Sequence, residues 1–99
     1  MIPLTRDRLN ELRPWFEPER PGPLVAGHVL QTGHGLARVD RWPDPRVLIA
    51  ETAGNLVLVG DAAALTSDDL RQHVRGFVDA PGLFEPLLRA AYPDLIVWP

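Results

Sequence analysis

Three histidines are the residues whose type best suits a base or a metal ligand near neutral pH, and two of them, His28 and His34, flank the stretch VLQTG. Their separation is neither the i,i+4 pair of a helical zinc site nor a finger spacing, and no carboxylate-rich third ligand lies close by. They read as a partly buried His28 and a loop His34 set between two glycines, and His73 as a solvated residue on the flank of a helix. Asp61 follows the apolar run LVLVG, the carboxyl end of a strand, where ligands often sit in α/β proteins. Its neighbours Ala62, Ala63, Ala64 and Leu65 supply no nucleophile or base, and helix capping accounts for Thr66 and Ser67. Ser67 is the sole serine and lacks the G-x-S-x-G context of a hydrolase elbow. Two glycine-bearing pieces, GHG at 33–35 and TAGN at 52–55, lack the GxGxxG and GxxxxGK[ST] spacings, so they read as turns rather than phosphate cradles. Arg38, Asp40 and Arg41 beside Trp42 have the chemistry to bind an anion or stack a ring, against the alternative of a solvated strand face. Trp15 and Phe16 read as core or as contact surface. No residue is thereby assigned to catalysis, to a cofactor or to a metal.

Composition narrows the classes further. The 99 residues carry 45% apolar side chains, a net charge of −3 and no cysteine. Disulfide scaffolds, thiolate metal sites and Cys nucleophiles are excluded. All ten cations are Arg, which removes lysine Schiff bases and a Walker-type lysine. A pI near 5.5 does not suit a nucleic-acid footprint. The opening MIPLTRDRLNEL has no apolar h-region and no run approaches a membrane span, so a cytoplasmic protein with neither membrane nor nucleic acid as partner is expected.

The elements that must position these residues follow from periodicity. Thr5 predicts the cap of a short helix with Leu9, Leu12 and Phe16 on one face, ended by Pro14. The proline-rich PWFEPERPGP predicts an ordered loop, and 24–35 a strand. Residues 36–41 alternate as a half-buried strand, WPDPR turns the chain, and 46–51 with 55–60 predict a hairpin of central strands. Their runs VLIA and LVLV are apolar on both faces, which requires helices against the sheet. Thr66 predicts the cap of a helix whose stripe is Leu70, Val74, Phe77 and Val78. A second helix is expected from near Pro81, with Leu83, Phe84, Leu87, Leu88 and Ala91 on one face and Pro93 as its stop. Leu95 to Trp98 predicts a last strand, and its apolarity leads to the expectation that the polypeptide continues or that this strand docks on a partner. The fold class is α/β (α+β): one domain over 1–99 with a mixed, mainly antiparallel sheet of four to five strands and flanking helices.

The stretch WFEPERPGPLVAGHVLQTGHGLARVDRWPDPRVLIAETAGNLVLVGD, continuing through LTSDDL and GFVDAPGLFEPLLRAAYPDLIVW, resembles the N-terminal half of two-part proteins of the Gcn5-related N-acetyltransferase (GNAT) family. The likeness rests on the order of strands and on phrases such as RPGPL, DRWP, ETAGN and GD. In that family a degenerate first half precedes a second half that binds acetyl-CoA, through a Gln/Arg-x-x-Gly-x-Gly/Ala loop whose amides hold the pyrophosphate. Here the corresponding junction reads GDAAALTSDDLRQHV, with no glycine between Gly60 and Gly76 and two aspartates where phosphate would approach. The resemblance therefore implies a GNAT-like, non-catalytic N-terminal domain that packs against a catalytic half and shapes its acceptor cleft. It implies no cofactor in this chain, acetyl-CoA entering only with a catalytic half. Two other readings stand beside it: a self-contained enzyme or ligand-binding domain using Asp61 with His28 or His34 as base, and a homodimer formed through strand edges.

Overall fold

The computed structural model describes residues 1–15, Val29, 33–74, 76–80 and 82–95. Five strands form one sheet in the order β1 (Ile2–Pro3), β2 (Leu36–Val39), β3 (Val47–Thr52), β4 (Asn55–Gly60) and β5 (Phe77–Asp79). The first four are antiparallel neighbours, and β5 runs parallel to β4. The class is thus mixed α/β with a mainly antiparallel sheet, as the alternation of the strands required.

The β3–β4 hairpin closes through Ala53 and Gly54, both at positive φ, between the ladder pair Thr52 and Asn55. Two central residues of that conformation match the twist of the strands they join. Alternation along β3 then divides the interior in two. Leu48 and Ala50 join Ala37, Val39 and Val57 beneath Leu9 and Leu12. Val47 and Ile49 join Leu56 and Leu58 beneath Leu70, Val74, Phe84, Leu88 and Ala91. Cover on both faces is what the unbroken runs VLIA and LVLV demanded.

Helix α1 (Arg6–Glu11) opens where the Thr5 hydroxyl accepts from the Arg8 N–H, and a 3-10 turn, Arg13–Trp15, follows it. On the other face, α2 (Ser67–His73) starts in a capping box between Thr66 and Asp69, and α3 (Glu85–Ala91) follows a 3-10 turn, Gly82–Phe84. The Tyr92 hydroxyl donates to the Leu70 carbonyl at 2.6 Å and lies against the Val74 carbonyl, so the end of α3 is tied to the end of α2.

Several expectations are corrected. Phe77 and Val78 do not continue the α2 stripe: the helix ends at His73, Gly76 takes φ +107°, and the next three residues pair with β4. Leu83 is not on the buried face of the second helix. It is 78% exposed, because the chain there is a 3-10 turn and the α-helix begins only at Glu85. The element order also begins with β1, whose pairing with Val39 and Arg38 no local pattern announces. Within the stretch expected as a strand over 24–35, Val29 is helical, and its carbonyl accepts from the Gly33 N–H four residues on. The loop expected over 14–23 from Phe16 onward, and the strand over 95–98 beyond Leu95, lie outside the described residues, as do Phe16 and His28.

Candidate functional site

The junction after β4 is the first place to look, because a sheet edge opening onto a helix start is where α/β proteins hold anions. Most of its donors are already committed. The Asp61 N–H donates to the Arg46 carbonyl at 2.8 Å, and Asp61 Oδ1 accepts from the Ala63 N–H at 2.9 Å. The Ala64 and Leu65 amides close the 3-10 turn Ala62–Ala64 onto Asp61 and Ala62. The Thr66 N–H donates to Asp69 Oδ2 at 3.0 Å while the Asp69 N–H donates to Thr66 Oγ1 at 3.1 Å. Asp61 is therefore a capping residue, and the turn spends its amides on itself.

The structure does not bring Asp61 together with His34. Glu51 pairs with Leu36, next to the His34 loop, whereas Val47 pairs with Gly60, next to Asp61. Four residues of β3 separate those rungs, about 13 Å of strand. The exposed His34 sits between Gly33 and Gly35, both at positive φ, in an irregular bend that leads into β2 rather than in a hairpin turn. His73 is half-buried rather than solvated. Burial lowers its pKa below the ordinary 6.5, with the Arg38 guanidinium and the N-terminal ammonium acting the same way against Asp69 and Glu51. Among the described residues, no group of three His, Asp or Glu side chains is placed to hold a metal.

The second place is the loop joining β2 to β3. Asp40, its side chain only 7% exposed, organises the turn. Its Oδ1 accepts from the backbone N–H groups of Arg46 (2.8 Å) and Val47 (3.2 Å), and its Oδ2 accepts from Arg46 Nε at 2.8 Å. Burial pushes the Asp40 carboxyl up, but these donors outweigh it and leave the pKa below the ordinary 3.8. Within the loop, Arg41 Nε donates to the Asp44 carbonyl at 2.8 Å, the Trp42–Pro43 peptide is cis, and Asp44 takes φ +57°.

Between this loop and the end of α1 lies an open groove of about 510 Å³. Trp15, Trp42, Pro43 and Pro45 supply flat apolar walls, and Glu11, Arg41, Asp44 and Arg46 supply charge. The Arg8 guanidinium lies 5.0 Å from the centroid of the Trp42 ring. The sequence singled out Asp40, Arg41 and Trp42, and the cation–π contact it foresaw exists with a different partner, Arg8. Glu11 and Trp15 joined no site in that reading, because nothing local tells that α1 will lie against the loop. Arg38 stands apart from the groove, opposite Ile49 on β3.

No family model and no solved structure matches the chain. Over 97 residues, 97% of its length, it is 34% identical to a Streptomyces virginiae protein described as "Uncharacterized N-acetyltransferase in mutA 5'region". The chain spans 41% of that relative's length. The resemblance to part of an acetyltransferase, drawn from RPGPL, DRWP, ETAGN and GD, is borne out by this relative. Among the described residues, no helix is long and apolar enough to cross a membrane.

Proposed function

We propose that residues 1–99 form a single, non-catalytic N-terminal domain of a cytoplasmic GNAT-like N-acetyltransferase, packing against a catalytic half and helping to shape its acceptor cleft. The similarity of nearly the whole chain to less than half of an N-acetyltransferase carries this reading. The junction after β4 supports its non-catalytic part. A pyrophosphate needs several free, convergent N–H groups, whereas those of Ala63, Ala64, Leu65, Thr66 and Asp69 are bonded within the turn and the capping box, beside the carboxylates of Asp61 and Asp69. A donor set so largely spent fits a pyrophosphate poorly, which supports the reading that acetyl-CoA is held by the catalytic half.

Two measurements test this. Calorimetric titration of the 99-residue protein with acetyl-CoA is expected to show no binding; a micromolar Kd overturns the non-catalytic assignment. The intact mass of the endogenous protein is expected to correspond to two or three domains of about 100–150 residues each. A species of 11.0 kDa overturns the assignment to a longer polypeptide.

A further inference from the structure

The groove between α1 and the β2–β3 loop has a feature that packing does not use. It presents unpaired charges of both signs on aromatic and proline walls. Arg41 is held through Nε by the Asp44 carbonyl, and no further hydrogen bond or ion pair ties its terminal nitrogens among the described residues. A guanidinium fixed by one nitrogen loses less freedom when its remaining N–H groups meet a carboxylate. The carboxylates of Glu11 and Asp44 line the same groove and form no hydrogen bond or ion pair of their own among the described residues. Arg46, by contrast, is neutralised by Asp40.

A dianion such as a phosphate monoester would meet Glu11 and Asp44 as like charges, and a simple cation would meet Arg41. The partner complementary to both is a zwitterion. Trp15, Trp42 and the two prolines suit a flat apolar body between its charged ends, and the groove's volume falls within the range of small-molecule sites. That Trp42 already faces the Arg8 guanidinium shows one of its ring faces accepting a cation. We infer that this groove binds a small ring-bearing zwitterion of the α-amino-acid type, its carboxylate on Arg41, its ammonium between Glu11 and Asp44, and its ring against Trp15 and Trp42. The inference does not rest on the acetyltransferase reading: it uses the side chains of the groove, whereas the β4–α2 junction borders the groove only through backbone, the Asp61 N–H on the Arg46 carbonyl.

The test follows the indole N–H signals of Trp15 and Trp42 in nitrogen-15 correlation spectra of the 99-residue protein. The probes are L-phenylalanine, N-acetyl-L-phenylalanine and L-phenylalaninamide. Phenylalanine is expected to shift both signals saturably in the millimolar range. The acetylated probe, without its ammonium, and the amide, without its carboxylate, are each expected to bind about tenfold more weakly, as is phenylalanine to R41Q and to D44N. Asn tolerates the positive φ of residue 44, so D44N keeps the turn, and the unshifted remainder of each variant's spectrum reports that it is folded. The inference is overturned if phenylalanine moves neither indole signal, if either singly charged probe binds as tightly as phenylalanine, or if R41Q and D44N bind it like the parent.

Discussion

Gly76, the residue that leads into β5, lies directly against the carbonyl of Gly54 at the tip of the β3–β4 hairpin. A methyl group built on Gly76 would stand 2.3 Å from that oxygen, whereas one built on Gly54 would meet nothing within 4 Å. Both glycines have positive φ, so the two positions separate conformational cost from contact. Gly54→Ala is expected to cost about 1 kcal/mol, the usual penalty of a side chain in the left-handed region. Gly76→Ala adds a backbone clash where β5 enters the sheet, and about 2–4 kcal/mol is expected. Urea unfolding of the two variants checks this, and equal midpoints would refute the contact.

Asp40 is the hinge pin of the β2–β3 loop, and its replacement by Asn places an amide where two backbone donors and one guanidinium converge. A loss of about 1–3 kcal/mol at neutral pH is expected. The pH dependence has a definite sign. The folded pKa lies below the ordinary 3.8, so the unfolded chain binds the proton more readily, and the stabilisation is present above that value and lost as pH falls through the folded one. The gap between the parent and Asp40→Asn should therefore be constant near neutrality and close below about pH 4. Thermal unfolding at a series of pH values measures it.

His73 works in the opposite chemical sense but the same direction. Its folded pKa is lowered from 6.5, so on acidification the unfolded chain takes up the proton first and the native state loses stability as pH falls through 6.5 toward the folded value. His73→Gln is expected to flatten the stability profile between about pH 7 and 5. An unchanged slope in the variant would assign that dependence to other groups.

Tyr92→Phe removes a single hydroxyl at the meeting of α2 and α3 and leaves the ring. With the Leu70 carbonyl left to the Val74 N–H alone and the Val74 carbonyl losing the hydroxyl against it, a loss of about 1–2 kcal/mol is expected. Because the bond joins the ends of the two helices, amide exchange should quicken at Val74 and Tyr92 ahead of the β3–β4 hairpin.

The parts of the fold that the sequence disclosed are those whose signal is local. The runs at 47–50 and 56–59 are apolar throughout because both sides of the sheet are covered, and Thr66 with Asp69 spells out its capping box within four residues. What escaped depends on distant partners. Leu70, Val74, Phe77 and Val78 fall at helical spacing, and only Gly76 marks the break that turns the last two into a strand. Ile2 and Pro3 are a strand solely because Val39 and Arg38 pair with them. The groove divides the same way. Asp40 and Arg46 belong to one short phrase, DRWPDPR, whose clasp is within reach of local reading, whereas Glu11 and Trp15 come from a helix some thirty residues earlier in the chain, and their placement is set by burial of Leu9 and Leu12.

The alternation of β3 makes the sheet a partition. Val47 and Ile49 serve one compartment, Leu48 and Ala50 the other, and the backbone between them is held by its own ladder. Substitutions with no shared neighbours combine additively, so a change under α2 and α3 leaves packing under α1 largely untouched. A lineage can therefore rework the side carrying Phe84 and Leu88 while holding the side carrying Trp15 and Trp42 constant, and each half of the interior is free to acquire its own specialisation.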